Sequence, residues 1–257
     1  MNAWLFGPDS MMWTINRESV LLLGGRGSLL MQLAHPAVAA GVAEHSDFRA
    51  DPLARLRRTL DTMLTIIFGG EPEARAALDN VNRMHAHVRG ATAEGKPYDA
   101  RDPRLLTWVY STLVDSSIKV YSACVRPLSE DEIARYYEET LVLAPLMAIP
   151  DGALPGSYEA LRAWMAGMIH SGEVRVTPLA RELAEPILRP VPLVPRRLSE
   201  GLITASLLPP PIRAGYGLKL GRGRSVLLSI GGRASKQVIP LVPSSVRLFP
   251  AARRAAI

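Results

Sequence analysis

Residues 51–70 read DPLARLRRTLDTMLTIIFGG and carry a whole helix with both of its ends. Asp51 suits an N-cap, and Pro52 suits the first helical position, where a missing N–H costs nothing. Leu53, Leu56, Leu60, Met63, Leu64 and Ile67 recur at spacings of three and four, the period that gathers apolar side chains on one helical face. Gly69 and Gly70 stop the run at about Phe68.

The same signals repeat along the chain. Upstream, the apolar stretch Val20–Val42 is long enough for a membrane span, but Arg26, His35 and several glycines interrupt it, which argues for a buried core helix. Gly24 and Gly25 are expected to break that run, and Pro36 to break it again near His35. Downstream, Ala74, Leu78, Val81, Met84 and Val88 form an apolar stripe on a helix from about Pro72 to Val88, closed by Gly90. ATAEGKPYDARDP (91–103) reads as a loop turning at Gly95-Lys96-Pro97, and Asp102-Pro103 as a cap followed by a first helical residue. SEDE (129–132) is a capping box, Ser157–Ile169 a further helix, and Thr177-Pro178 the start of a short helix ending near Leu188. With Ala, Leu and Arg abundant and aromatics at 6%, the expectation is an all-α single domain over residues 1–220, followed by a Pro-rich, basic, loosely ordered tail at 221–257.

Composition narrows the function classes. The net charge is +6, but the arginines are scattered among carboxylates and no aromatic platform accompanies them, so nucleic acid is not the expected partner. One cysteine, Cys124, allows no internal disulfide and no multi-cysteine zinc site, which suits a reducing cytoplasm. The first residues lack a basic-then-apolar secretion pattern. The basic, apolar C-terminal part leaves open a weak, peripheral contact with a membrane surface. Oligomeric state is not legible.

Three groups of residues could carry chemistry. VNRMHAHVRG (81–90) holds His85 one turn from Val81 on the apolar side of its helix, whereas His87 turns toward Arg83. A buried imidazole among aliphatics is what an axial iron ligand looks like, and also what an ordinary core histidine looks like. In LAHPAVAAGVAEHSDF, Glu44 suits a general base if the break at Pro36 aims it into a pocket; otherwise Glu44 and His45 close the helix end and pair with arginine. Zinc-protease spacings are absent. Arg55, Arg58 and Thr59 share a helical face, where they could hold an anionic group or simply form a solvated basic surface. GGRGS (24–28) lacks the spacing of a nucleotide cradle. Asp115, on an otherwise apolar helix, requires a partner such as an arginine or histidine. Cys124, Trp108 and Tyr110 read as packing residues.

Taken in order, FGPDSMMWTINRE, LLLGGRGSLLMQLAHPAVAAGVAEHSDFRADPLARLRRTLDTMLTIIFGG, RMHAHVRG, GKPYDARDPRLLTWVYSTLVDS and ARYYEE resemble the latex clearing protein (rubber oxygenase) and fungal MpaB family, over about residues 5–220. The resemblance implies an all-helical fold enclosing a b-type haem whose iron takes one histidine, and an oxygenase that uses dioxygen on the double bonds of isoprenoid chains. It implies His85 as iron ligand with His87 as fallback, and Arg55, Arg58 and Thr59 as the matches to a distal Arg, Lys and Thr. Arg58 departs from that pattern, because a guanidinium that stays protonated does not ligate iron as an amine can. Glu44 is the match to the family's catalytic glutamate, at a shorter spacing. The substrate implied is a small, apolar, isoprenoid- or lipid-like molecule. The alternative is a non-catalytic haem-binding sensor or carrier, which would use His85 without Glu44.

Overall fold

The computed structural model describes residues 4–46, 52–189 and 202–255. The chain is mainly helical: α1 (Met11–Asn16), α2 (Leu22–Leu33), α3 (Pro36–His45), α4 (Pro52–Phe68), α5 (Glu71–His85), α6 (Pro103–Cys124), α7 (Glu130–Leu143), α8 (Tyr158–His170) and α9 (Pro178–Leu188). After the Pro-rich stretch come α10 (Leu202–Leu207), α11 (Pro210–Gly215), α12 (Arg222–Val238), α13 (Ser244–Arg247) and α14 (Pro250–Ala255). Among the described residues the only sheet is an antiparallel pair, β1 (Arg89–Ala91) with β2 (Pro97–Asp99), in the register Gly90 opposite Tyr98.

α6 is the axis of the core. Leu106, Trp108, Tyr110, Val114, Ile118 and Tyr121 are all buried on it. Most of its buried polar side chains are satisfied internally, Thr107 Oγ1 excepted. Trp108 Nε1 donates to the Met31 carbonyl at 3.1 Å, and Tyr110 Oη donates to the Thr140 carbonyl at 3.0 Å. Asp115 takes Lys119 at 2.6 Å and the Tyr158 hydroxyl at 2.8 Å, so its partners are a lysine and a tyrosine rather than an arginine or histidine.

α2 lies along α6, and its glycines explain how closely. A Cβ on Gly24 would meet Val120 Cγ2 at 3.0 Å, and one on Gly27 would meet Leu207 Cδ1 at 3.1 Å. Gly24 and Gly25 therefore do not break the run as expected. They sit inside a continuous helix, whose packing offsets the propensity cost of about 1 kcal/mol per glycine. Ser28 and Gln32 bond Thr112 across the same interface.

The break at Pro36 occurs as the sequence implies: α2 stops at Leu33, and His35 caps α3 by accepting the Ala37 N–H on Nδ1 at 3.2 Å. α4 runs over the expected residues, while Asp51, its expected cap, lies outside the described residues. Asp102 and Ser129 cap α6 and α7, the latter with a full capping box.

Three expectations are corrected. α5 ends at His85, not Val88, because Ala86, His87 and Val88 tighten onto Asn82, Met84 and His85, and the Ala100 N–H then bonds the Val88 carbonyl at 2.9 Å. Residues 91–103 are not a loop: they complete a hairpin whose turn uses Gly95 at φ +75°, a backbone region that favours glycine. Gly90 consequently sits in β1 rather than closing a helix. The 221–257 segment, expected to be loosely ordered, carries α12–α14. Its end is tied back: the Phe249 N–H donates to the Arg17 carbonyl at 2.9 Å, and Arg247 forks onto buried Glu18 at 2.6 and 2.8 Å.

Candidate functional site

α2, α3, the end of α5, the hairpin and α6 enclose an apolar cavity of about 180 Å³. Leu29, Leu33, Val38, Val42, Leu105, Leu106 and Val109 supply most of its wall. Its polar atoms come from Gln32, Ser46, Tyr98 and two histidines, His45 and His85. The small residue Gly41 lets α3 approach the hairpin, since a Cβ there would stand 3.2 Å from Val88 Cγ1 and 3.4 Å from Tyr98 Cε2.

His85 is the last residue of α5 and is half-buried, whereas His87, past the helix end, is exposed and does not line the cavity. The buried side of α5 runs through Ala74 and Leu78 to the partly buried Val81, Asn82 and His85. Met84, assigned to that side from the sequence, is 53% exposed. His85 thus faces inward, but on a stripe shifted from the expected one. Together with Leu106 it also walls an open hollow of about 560 Å³ on its other side, bordered by Asn82, Arg83 and Arg101.

Beside the cavity stands a polar cluster. The Tyr98 hydroxyl donates to Glu44 Oε2 at 2.5 Å. Burial, then the Glu44 carboxylate, push the Tyr98 phenol well above its usual range, so it keeps its proton and acts as a donor. His45 Nε2 lies 3.0 Å from the Arg89 carbonyl, which accepts its N–H. Glu44 Oε2 is 3.8 Å from the same imidazole. Gly90 is required here: a Cβ would stand 2.5 Å from Glu44 Oε2 and 2.7 Å from Tyr98 Oη. Glu44 itself is half-exposed.

The structure therefore brings His85, His45 and Tyr98 to the cavity wall, while Glu44 stands outside the lining and is held against it by Tyr98. Arg58 and Thr59 are exposed and do not line this cavity; Thr59 borders a second apolar cavity, of about 140 Å³, between α2, α4, α6 and α7. Arg55 lies on α4, and its side chain falls outside the described residues. The two-residue link between α4 and α5 folds α5 back along α4. Arg55 is about 20 Å along the axis from that turn, and His85 is about as far on the other arm, at 1.5 Å per residue. Sequence reasoning missed Tyr98 and Gly90. The signal lay in the short spacing between RGA and PYD around a glycine turn, which reads as a hairpin.

The model of the family described as ER-bound oxygenase mpaB/B′/rubber oxygenase, catalytic domain, matches residues 12–236. The chain belongs to this family. The match runs past residue 220, so α12 falls almost wholly within the family's catalytic domain. Among curated relatives, an uncharacterized protein of Mycobacterium bovis and one of Mycobacterium tuberculosis are each 26% identical to this family member over 132 residues. Those residues are 50% of this chain and 52% of each relative, so the chain spans about half the length of the curated relatives it matches. No solved structure matches it. Among the described residues, no helix is long and apolar enough to cross a membrane, and no cluster of three or more His, Cys, Asp or Glu is placed to hold a bare metal ion.

One imidazole, from His85, is a donor this cavity offers an iron cofactor. A haem iron needs one protein imidazole and an apolar slot, and His85 offers an imidazole at an apolar wall. The cavity, at about 180 Å³, is below the roughly 300–1,000 Å³ of ordinary ligand pockets.

Proposed function

We propose that this chain is a haem b-dependent oxygenase acting with dioxygen on a small apolar substrate of isoprenoid or lipid character. The observation that carries the reading is the placement of His85, in a chain of this oxygenase family, on the wall of an apolar cavity beside a tyrosine-held glutamate. His85 would hold the iron, with His87 as the fallback. Haem, when bound, supplies the dioxygen chemistry.

The remaining work falls to the chain's own residues. The aliphatic walls from α2, α3 and α6 exclude water and orient an apolar substrate. Glu44 is the base that would take a proton from an allylic carbon, and Tyr98 positions its carboxylate through Oε2, leaving Oε1 to act. Arg55 and Arg58 would bind carboxylates, as bidentate guanidiniums do. Thr59 borders the second cavity and not the one His85 lines, so its role in the proposal would be to hold a polar group there. A cytoplasmic location is part of the same proposal and is supported by the single free cysteine.

The test is an absorption spectrum of chain produced with a haem precursor, beside His85→Ala and His87→Ala. A Soret band lost in His85→Ala alone supports the assignment. Loss in His87→Ala alone moves the ligand past the helix end. A folded wild type without a Soret band overturns the haem reading. Oxygen uptake with apolar alkenes then separates enzyme from carrier: Glu44→Gln should keep the Soret band and lose uptake, and unchanged uptake would remove Glu44 from the mechanism.

A further inference from the structure

After Glu200 the chain contains nine Lys or Arg and no Asp or Glu, which leaves residues 1–200 with 21 basic against 24 acidic residues. The positive charge of the whole protein is thus concentrated in its last 57 residues. That segment also carries much of the exposed aliphatic surface: Val226, Ile230, Val238, Leu241 and Val246 are between 56% and 82% exposed.

The arrangement on α12 is the reverse of an ordinary surface helix. Val226, Ile230, Arg233 and Gln237 are spaced four, three and four apart, so they share one face, and all four are exposed. The opposite side is the one that packs on the protein. A Cβ on Gly232 would meet the Ala123 carbonyl at 3.1 Å, and Ser235 bonds the Cys124 thiol. The helix is therefore already docked by one side, and its outward side pairs branched aliphatics with a guanidinium.

We propose that α12 and the residues following it to Val246 form a docking face for an anionic lipid bilayer. Apolar side chains on such a face enter the boundary between headgroups and acyl chains, while basic ones draw it to negative lipid. Nucleic acid would explain the charge alone. It does not explain outward valine and isoleucine, and residues 221–247 contain no aromatic side chain on which a base could stack. The inference is independent of the haem reading. It also gives an apolar substrate a source: a protein seated on lipid meets such molecules at the surface that dissolves them.

Co-sedimentation of the full chain tests it, with vesicles of phosphatidylcholine alone and of phosphatidylcholine with phosphatidylserine. The chain should pellet with the anionic vesicles only, less so as salt rises. Val226→Asp with Ile230→Asp should weaken that binding by about tenfold or more, with an unchanged circular-dichroism spectrum. Arg233→Glu gives the second arm and should also weaken it. Failure to pellet with anionic vesicles, or equal binding to both vesicle types, overturns the proposal. So does anionic-vesicle binding that survives the double substitution. Tight binding to a DNA duplex without vesicle binding overturns it in favour of nucleic acid. A concentration-dependent dimer abolished by the double substitution, again without vesicle binding, assigns the face to a second copy.

Discussion

Replacing Gly90 by Ala tests the polar cluster with a single methyl group. Gly90 has ordinary strand backbone, outside the left-handed region, so the main chain tolerates alanine. In open space the change would stabilise the protein by about 0.4–1 kcal/mol, by restricting the unfolded chain. The space is not open: the new Cβ would sit 2.5 Å from Glu44 Oε2 and 2.7 Å from Tyr98 Oη, so the 2.5 Å bond between them must open. A hydrogen bond to a charged group contributes about 1.5–3 kcal/mol. Glu44 is half-exposed and recovers water, which places the loss near the lower end. The expected net effect is about 1 kcal/mol of destabilisation, read by equilibrium urea unfolding with an unchanged m-value. Gly167→Ala is the control: Gly167 lies inside α8 with nothing near its missing Cβ, and should gain up to about 1 kcal/mol. In a Tyr98→Phe background Gly90→Ala should cost less, because one of the two clashing atoms is gone. A Gly90→Ala protein as stable as wild type, or stabilised like Gly167→Ala, would refute the close approach and with it the positioning of Glu44 by Tyr98.

Two further outcomes are expected. Arg247→Ala strips the forked partner from Glu18, which is 1% exposed, and should cost about 3 kcal/mol, the lower end for breaking a buried pair because Arg17 remains at 3.8 Å; a loss below about 1 kcal/mol in the same unfolding assay would mean that the C-terminal tie is not made in solution. Burial is the main cause that holds the His35 imidazole below its usual 6.5, so below that pH the unfolded chain binds a proton that the folded chain refuses. Stability should therefore fall as pH drops from about 6.5 toward the lowered folded value, then level off. His35→Asn, which can still cap α3, should flatten that part of the melting-temperature profile, and an unchanged slope would reject the assignment.

The helices were legible where local chemistry and tertiary packing agree. α4, α6 and α7 carry caps, a first-position proline or a capping box, and apolar residues at the right period, and they begin where those signals lie. α2 was misread because its glycines contribute nothing locally; their value appears only against Val120 and Leu207, residues far away in the chain. The hairpin was hidden for the related reason that a strand of three residues shows no period, and its pairing depends on a turn glycine rather than on composition. The tail looked unstructured on composition, yet its anchors are single long-range contacts, from Arg247 to Glu18 and from Phe249 to Arg17, that no local pattern announces.

The site divides along the same line. The inward direction of His85 followed from helical period, and survives even though the stripe is displaced from Met84 toward Asn82. Which residue holds Glu44 did not follow, because Tyr98 reaches it across 54 residues. Arg58 and Thr59 show the limit of the opposite kind. Helical period set them near Arg55 on α4, but says nothing about which cavity that helix meets, and Thr59 meets the second one. The two apolar cavities flank α2 and α6 and are linked by the polar ladder of Ser28, Gln32 and Thr112: Gln32 lines the first, Ser28 the second. Thr112→Val removes the acceptor of both Ser28 and Gln32 and should therefore lower the urea midpoint, although Thr112 lines neither cavity; an unchanged midpoint would mean that the ladder does not hold α2 to α6.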